Sequence, residues 1–448
     1  MFGKTFLHIA ARKGVEEKLI SDCFSVNEQG HLTIGGVDTV ELAREYGTPL
    51  YVMDEQTIRD ACRRFKASID KNYGKGMPLY ASKAFSCKEM YRIIESEGLG
   101  ADVVSGGEIY TALAAGFPAE RMFFHGNNKS RDELELALRE GVGRIVVDNL
   151  TELAMLEEIA QKLDKRPKIL FRIKPGVDAH THDFIRTGQI DSKFGFAIEN
   201  GEAISAAKAA AAAGRIELVG VHCHIGSQIF ELEPFVLAAK IMITFMAQVR
   251  EETGLCLSEL NLGGGFGIKY LESDSPREYN EFMDTVSARI HASCAEYGLE
   301  VPAVFIEPGR SIVGPAGLTL YTVGAVKEIA GVRTYLAVDG GMTDNPRYAL
   351  YQAPYEAVVA NKADQPRAFE VTIAGKCCES GDLIQEHTNI QQCESGDLLA
   401  VLATGAYNYS MASNYNRIPR PAVVMVNDGG SRLVVKRESY EDLVRNDL

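Results

Sequence analysis

From residue 78 onward, short apolar runs rich in β-branched residues alternate with longer runs of helical period. This alternation is typical of βα units joined into a parallel sheet. Eight runs fit strands, at residues 79–84, 101–105, 122–125, 144–147, 168–173, 218–224, 259–262 and 304–307. Seven runs between them fit helices, at residues 88–97, 107–115, 131–140, 151–163, 202–213, 234–252 and 276–297. An open doubly wound sheet usually has fewer strands, so the pattern predicts an α/β fold with a TIM-like (β/α)8 barrel.

The pattern changes after Arg310, where short β-branched runs are separated by Gly, Pro and Asp turns. These runs lie at residues 318–326, 334–338, 369–373, 398–402, 422–426 and 433–435. They predict a β-rich domain, either a barrel or a sandwich. A strand-like run at 31–34 and a helix-like run at 40–46 are expected to pack with it, since chain termini often lie close together. The predicted division is 1–48 for the N-terminal segment, 49–310 for the barrel and 311–448 for the β-domain.

Composition narrows the class of protein. Of the 448 residues, 46% are hydrophobic and 24% are charged, as in an ordinary globular chain. The formal charge of −14 argues against a nucleic-acid binder. The sequence has neither an apolar run of membrane-spanning length nor the features of a signal peptide, so we expect a cytoplasmic protein with no membrane partner. Of the nine cysteines, six are scattered without disulfide or zinc spacing, which indicates thiols in a reducing compartment and no metal site, while the adjacent Cys377 and Cys378 and the nearby Cys393 stand apart.

Lys83 stands at the end of the first predicted strand. A lysine in this position is usually a solvated strand end, so Lys83 alone would not indicate a function. Barrel enzymes, however, hold their chemistry at the C-terminal ends of the strands. Polar or glycine-rich residues lie at the ends of five further predicted strands, at 102–108, 125–128, 222–228, 263–265 and 307–310. These strand ends are therefore candidates for one shared site.

Gly263, Gly264 and Gly265 follow the seventh predicted strand. A glycine run by itself is more often only a flexible turn. In barrels, however, the loops after strands seven and eight frequently bind phosphate, because glycine lets backbone N–H groups approach the oxygens. Gly309 and Arg310, after the eighth strand, would complete this cradle.

Two further side chains suggest what accompanies the phosphate. His224 could be a core histidine or a zinc ligand with His222, but no third ligand is obvious, and we favour a ring that stacks on a flat aromatic ligand. Glu307 could pair with Arg310 or with a pyridinium nitrogen. A lysine, a phosphate cradle, a stacking histidine and a carboxylate on one barrel face together indicate a pyridoxal phosphate site, with Lys83 as the Schiff-base lysine.

Several longer motifs match a known family over nearly the whole chain. They lie at residues 80–83, 100–108, 192–195, 222–228, 307–312, 378–382, 405–407 and 414–416. In these motifs the chain resembles the diaminopimelate decarboxylases, within the barrel-type, fold type III pyridoxal-phosphate decarboxylases that include the ornithine enzymes.

The resemblance implies a role for each matching residue. Lys83 would bond to the cofactor, Glu307 would pair with its ring nitrogen, and His224 would stack on its ring. The residues around the phosphate and the adjoining substrate would be Ser227, Gly263, Gly264, Gly265, Gly309, Arg310 and Tyr407. The substrate-binding residues would be Arg310, Arg347, Tyr351, Glu379 and Tyr407. Cys378 would be the proton donor.

The activity implied is decarboxylation of meso-2,6-diaminopimelate to L-lysine, the last step of lysine biosynthesis. The resemblance also implies a homodimer in which Cys378 and Glu379 enter the site of the neighbouring subunit. Three alternatives remain open at this point. They are decarboxylation of another basic substrate, such as D-ornithine, D-lysine or a carboxypolyamine, a non-catalytic pyridoxal-phosphate carrier, and a racemase. The motifs at Cys378 and Tyr407 count against the carrier, which generally keeps only the barrel.

Two local features depart from the family pattern. The pentapeptide Cys-Glu-Ser-Gly-Asp occurs twice, beginning at Cys378 and again at Cys393. The family resemblance favours the first copy as catalytic and the second as an ordinary turn between strands. Tyr348 stands where many members have proline, so the turn beside Arg347 is expected to differ.

Overall fold

The computed structural model describes residues 19–177 and 192–448. Its N-terminal part forms a small antiparallel sheet of β1 (Phe24–Val26), β2 (Leu32–Ile34) and β3 (Val37–Asp38). Three further elements precede the barrel: α1 (Thr39–Tyr46), β4 (Leu50–Asp54) and α2 (Glu55–Tyr73). Asp38 and Asp54 cap α1 and α2 by accepting backbone N–H groups of their first turns.

Eight parallel strands then close into a barrel. They are β5 (Gly76–Ala81), β6 (Gly100–Val103), β7 (Met122–Phe124), β8 (Arg144–Val147), β9 (Lys168–Lys174), β11 (Glu217–His222), β12 (Glu259–Asn261) and β13 (Ala303–Ile306). The short β10 (Phe196–Ala197) pairs with β9. The barrel closes where Val304 of β13 pairs with Gly76 of β5. The predicted eightfold barrel is therefore confirmed.

Helices follow the strands in the predicted alternation. They are α3 (Lys88–Ser96), α4 (Gly106–Ala114), α5 (Arg131–Glu140), α6 (Leu150–Lys162), α7 (Glu202–Ala212), α8 (Glu233–Thr253) and α9 (Tyr279–Tyr297). The predicted helix set omitted α2, although its buried positions Ile58, Cys62, Phe65 and Ile69 recur at helical spacing. This helix packs against β5 and α9.

The second unit is a mixed sheet of nine strands. They are β4, β14 (Gly317–Ile329), β15 (Arg333–Val338), β16 (Ala357–Val359), β17 (Phe369–Ala374), β18 (Leu383–Ile390), β19 (Leu398–Leu402), β20 (Ala422–Asn427) and β21 (Gly430–Val435). Two short helices accompany them, α11 (Arg347–Tyr351) and α12 (Tyr440–Val444), while α10 (Arg310–Val313) follows β13 and packs against α2 in the core of the barrel. The β-rich domain is confirmed, although β16 and β18 were absent from the predicted strands.

The N-terminal segment packs on this second unit, as predicted. Phe24, Leu32 and Ile34 share its apolar core, and the backbone N–H of Ala363 donates to the carbonyl of Gly30 at 2.7 Å. The division at residues 48 and 310 stays a prediction. Because β4 pairs with β14 and β20, we favour a first boundary just after Asp54. In the described part of the chain, no helix has the length and apolar character needed to cross a membrane.

Candidate active site

A cavity of about 740 Å³ opens at the C-terminal ends of the barrel strands. This volume suits a small cofactor together with a small substrate. Predicted site residues that line it are Lys83, His224, Ser227, Gly265, Glu307, Gly309, Arg310, Arg347, Tyr351 and Tyr407. Further lining residues include Asp102, His125, Arg172, Phe194 and His222. The structure therefore brings together on one face side chains that are far apart in sequence.

The two-residue period of the strands explains why the cavity is polar. An apolar layer fills the barrel below it, formed by Leu79, Phe123, Val146, Leu170, Val219 and Phe305. His125, Arg172 and Glu307 each lie two residues after a member of this layer, within its strand or just past its end. All three line the cavity. Because alternate residues face the same side of a strand, one layer packs the barrel and the next provides its chemistry.

Lys83 lies in a single 3₁₀ turn, Ser82–Ala84, directly after β5. Its side chain is 43% exposed within the cavity, and its Nζ is 4.0 Å from Oδ2 of the buried Asp102. Loss of hydration lowers the pKa of Lys83, but Asp102, Tyr407 and Glu307 together outweigh this and raise the pKa. The strand was predicted to continue to residue 84 but ends at Ala81, so this turn presents the amine.

Glu307 is held by polar groups from three other strands. Asn261 Nδ2 donates to its Oε1 at 2.7 Å, His222 Nε2 lies 3.2 Å from its Oε2, and His125 Nε2 lies 3.0 Å from its Oε1. Burial raises the pKa of Glu307, but the two imidazoles outweigh burial and lower it well below the usual range. The alternative ion pair with Arg310 is replaced by this cluster, which leaves an ionised carboxylate facing the cavity.

The two histidines of β11 and its end have different partners, which argues against a shared zinc ion. Burial lowers the pKa of His222 to about 4, so its neutral ring donates Nε2–H to Glu307. The Nδ1 atom of His224 accepts the backbone N–H of Gly264 at 3.2 Å. Burial also lowers the pKa of His224 well below its usual value. His224 therefore presents a neutral, oriented ring to the cavity.

The glycines after β12 serve mainly to bring three loops together. A Cβ on Gly264 would lie 2.1 Å from the carbonyl oxygen of Glu307. Gly265 adopts φ +109°, and a Cβ there would clash with the carbonyl oxygen of Gly226. Of the three glycines, Gly265 is the one that lines the cavity. Gly263 and Gly264 thus lie behind the cavity wall, while Gly265 and Gly309 form part of it.

Arg310 and Arg347 face the cavity from the barrel and from the β-domain respectively. Arg310 donates to the hydroxyl of Ser227 from Nη2 at 3.0 Å, and its guanidinium lies 4.8 Å from the ring centre of Tyr407. The backbone N–H of Tyr407 donates to the carbonyl of Ala84 at 2.8 Å. This bond fixes a β-domain segment to the turn that carries Lys83.

Cys378 and Glu379 lie on the surface of the protein. Both are exposed, and neither is among the described residues that line the cavity. The backbone N–H of Cys378 donates to Oδ1 of Asn416 at 2.7 Å. Tyr348, the departure from the family pattern, donates its hydroxyl to Glu386 at 2.8 Å and so ties α11 to β18. Arg347 still reaches the cavity beside it.

Comparisons with known proteins agree with this geometry. Residues 55–314 match the family model described as pyridoxal-dependent decarboxylase, pyridoxal binding domain. The chain is 54% identical over 422 residues to diaminopimelate decarboxylase of Bacillus subtilis, covering 94% of this chain and 96% of that one. The chain belongs to the diaminopimelate decarboxylases. It is also 44% identical to the Staphylococcus aureus enzyme over 422 residues, with 94% of this chain and 98% of that one covered.

A solved structure of a diaminopimelate decarboxylase extends the agreement to the fold. The M. jannaschii enzyme in complex with L-lysine superposes with a TM-score of 0.90 at 35% identity, covering 96% of this chain and 99% of that one. This chain is therefore a pyridoxal-phosphate-dependent decarboxylase. Its cavity fits the cofactor, since it presents an amine, a neutral imidazole, an ionised carboxylate and an arginine from separate loops.

Sequence reasoning missed several residues of this decarboxylase's cavity. Asp102 and His125 stood in the polar clusters at predicted strand ends but received no role. Arg172 interrupts the apolar run of β9, and Asn261, the last residue of β12, contacts the cavity only through Glu307. His222 was considered only as a metal ligand.

Proposed function

We propose that this cavity decarboxylates meso-2,6-diaminopimelate to L-lysine and CO2, the last step of lysine biosynthesis, and does so in the cytoplasm. The observation that carries the proposal is the convergence of Lys83, Glu307, Arg310 and Arg347 on one cavity. The family membership and the lysine-bound relative support the choice of substrate. All nine cysteines are free thiols, which supports a reducing compartment.

Pyridoxal phosphate, when bound, supplies an electron sink for the electron pair that remains when the carboxylate leaves as CO2. Lys83 would hold it covalently, His224 would support its ring, and Ser227, Gly265, Gly309 and Arg310 would surround its phosphate. Glu307 would keep the proton on the ring nitrogen. The ionised state of this carboxylate, maintained by Asn261 and the two histidines, suits that role.

Asp102 is a suitable acceptor for the proton that Lys83 must lose before its amine can react. Its Oδ2 is the closest carboxylate oxygen to Nζ. Its Oδ1 is buried and has no hydrogen-bond partner among the described residues. Burial and the nearby Glu307 raise the pKa of Asp102 above its usual value. A carboxyl group with a raised pKa can take up a proton and return it within one turnover.

The far end of the substrate carries a second carboxylate and a second amine. Arginine recognises carboxylate through paired, charge-assisted hydrogen bonds, so Arg347 and Arg310 would bind that carboxylate. Tyr351 and Tyr407 would flank the substrate chain, and Glu379 would pair with the distal amine. A substrate of the ornithine type has no distal carboxylate and would offer these buried arginines no anionic partner.

Cys378 and Glu379 would come from the other subunit of a homodimer. Their exposure, and their position outside the cavity of their own chain, support this arrangement. The Cys378 thiol would deliver the proton that replaces CO2 on the substrate carbon. The barrel of one subunit and the β-domain of the other would then form each active site.

Mixing two inactive variants tests the shared site. Lys83→Ala and Cys378→Ala are each expected to form almost no lysine from diaminopimelate. After subunit exchange at equal amounts, half of the dimers are mixed, and each mixed dimer has one site with both groups intact. About a quarter of the wild-type activity should therefore return. If both residues belonged to one subunit's site, the mixture would stay inactive and the shared-site proposal would be wrong.

A substrate panel tests the reaction itself. The wild-type protein loaded with pyridoxal phosphate should release CO2 from diaminopimelate far faster than from D-ornithine or D-lysine. Lys83→Ala should also abolish the long-wavelength absorbance band of the covalently bound cofactor. A band that persists in the variant would refute the role of Lys83, and a preference for D-ornithine would refute the substrate.

A further inference from the structure

The two arginines at the substrate end of the cavity rest on a pair of buried tyrosines. Arg310 Nη1 donates to the hydroxyl of Tyr270 at 2.5 Å, and Arg347 Nη1 donates to the hydroxyl of Tyr355 at 2.7 Å. Tyr270 is 4% exposed and Tyr355 is 1% exposed. Neither tyrosine is among the described lining residues, so each would act through the arginine that it contacts.

Tyr270 contacts both cations. The guanidinium of Arg347 lies 4.7 Å from the centre of its ring, while its hydroxyl accepts the bond from Arg310. Two buried guanidinium groups repel each other, and the electron-rich face and the oxygen of one tyrosine offset this repulsion from two sides. Tyr270 thus fixes the relative position of two charges that would otherwise move apart.

The electrostatics of Tyr270 agree with this arrangement. Burial raises the pKa of its phenol, but Arg310 and Arg347 outweigh burial and lower the pKa below its usual value. The two guanidinium groups therefore stabilise negative charge on the Tyr270 oxygen. Its value as an acceptor for Arg310 is correspondingly higher.

The tyrosine pair is itself held rigidly. The rings of Tyr270 and Tyr355 meet edge to face, with centres 5.5 Å apart and planes at 86°. Asn408 Nδ2 donates to the Tyr355 hydroxyl at 3.2 Å. The edge-to-face contact leaves both tyrosine hydroxyls little freedom to move. The arginine positions are therefore set before substrate binds.

We propose that Tyr270, supported by Tyr355, is a positioning residue that aligns Arg310 and Arg347 to bind the distal carboxylate of the substrate. It therefore contributes to the selection of a diamino-diacid over a substrate that ends in an amine alone. This inference rests on the proposed role of the two arginines in substrate binding.

Binding of two ligands to the cofactor-loaded protein tests the inference. L-Lysine keeps the distal carboxylate, whereas cadaverine is the same molecule without it. In Tyr270→Phe the ring remains and only the hydroxyl is lost. Calorimetry should show lysine binding weakened about tenfold or more, as expected when a charge-assisted hydrogen bond is lost, with cadaverine binding changed less than about twofold.

Tyr46→Phe is the matched control, since it removes a hydroxyl that lies 3.0 Å from Ser431 Oγ, outside the cavity. It should leave the affinity for both ligands unchanged. Tyr355→Phe should weaken lysine selectively in the same way, and it provides a second variant if Tyr270→Phe does not fold. Equal weakening of lysine and cadaverine, or no weakening of either, would overturn the inference.

Arg347→Gln separates failure of the inference from failure of the function on which it rests. If this variant binds lysine and cadaverine with unchanged relative affinity, the arginine does not bind the distal carboxylate and the proposed substrate role is wrong. If Arg347→Gln loses lysine selectively while Tyr270→Phe does not, only the role of Tyr270 is refuted.

Discussion

The two copies of Cys-Glu-Ser-Gly-Asp, Cys378–Asp382 and Cys393–Asp397, have the same residues but different environments. The first connects β17 to β18 and the second connects β18 to β19. In both, the aspartate N–H donates to the glutamate carbonyl at 3.1 Å. The glycines differ, because Gly396 adopts φ +95° while Gly381 lies outside the left-handed region. Identical residues therefore adopt two backbone conformations.

The carboxylates of the two aspartates have different partners. Asp382 accepts the backbone N–H groups of Met342, at 2.6 Å, and of Cys377, at 2.7 Å. The Cys377 bond holds the residue before Cys378, and the Met342 bond ties the turn to the segment after β15. The Cys378 thiol itself remains exposed. No side chain could be added at Gly341 or Gly375 without a clash against this carboxylate. The first copy is thus built to present its cysteine.

The second copy buries its cysteine instead. Asp397 accepts from Asn361 Nδ2 at 2.7 Å and from Lys362 Nζ at 2.6 Å, which anchors the turn to a neighbouring segment. Cys393 is 5% exposed and belongs to the apolar core of the β-domain. Burial raises the pKa of its thiol to about 11. The comparison shows that two identical pentapeptides differ in the partners of their aspartates and in the exposure of their cysteines.

Replacing each cysteine with alanine should give the largest difference between the two copies, in both kcat and the free energy of unfolding. Cys378→Ala is expected to lower kcat on the order of 10² to 10⁴, the usual contribution of a positioned proton donor. The KM for diaminopimelate should change little, because the thiol acts after binding. Cys393→Ala should retain kcat within about twofold and instead lower the free energy of unfolding by about 1 kcal/mol, because it leaves a small cavity. Steady-state lysine formation and urea unfolding measure the two effects.

The reverse ranking of kcat would reassign the proton donor to Cys393 and invert the comparison. Equal losses would mean that the effect comes from folding of the β-domain. Unfolding curves of the two variants distinguish these outcomes, since a purely structural effect must appear in both measurements.

Replacing each aspartate with asparagine tests whether the partners of the two carboxylates affect stability and kcat. Asp382→Asn and Asp397→Asn both place an amide N–H group against a donor, and each should cost about 1 to 3 kcal/mol of stability. Only Asp382→Asn should also lower kcat, by roughly tenfold, because it loosens the chain before Cys378. Matched urea unfolding and steady-state kinetics measure both. A similar drop in kcat for Asp397→Asn would show that turn stability alone controls activity.

Much of the fold was predictable from the sequence because strand and helix periods differ so clearly in the barrel. All eight barrel strands were located, and the bounds of β8 and α5 were predicted without error. The omissions have physical reasons. The helix α2 precedes the first predicted barrel strand and follows β4, which pairs in the other sheet. In β18 the two buried isoleucines, Ile384 and Ile390, are separated by five polar residues.

The candidate site was predictable where a residue ends a strand, as with Lys83, Glu307 and Arg310. Asn261 and Arg172 were not predicted, because their importance depends on which face of the strand points inward. Tyr270 and Tyr355 were beyond reach for another reason. Both lie behind residues that line the cavity, and only the three-dimensional structure brings these two tyrosines into contact.

The last expected effect is on the pH dependence of stability, and it tests the second copy selectively. The folded pKa of Cys393, about 11, lies above the value near 8.5 of a thiol in the unfolded chain. The contribution of Cys393 to stability is therefore complete below about pH 8.5 and is lost as the pH rises toward 11. Urea unfolding should show that wild type loses about 2 to 3 kcal/mol more over this range than Cys393→Ala does. Cys378→Ala, which removes an exposed thiol, should lose stability with rising pH as the wild type does. A smaller loss in Cys378→Ala would mean that Cys378, and not Cys393, is the buried thiol.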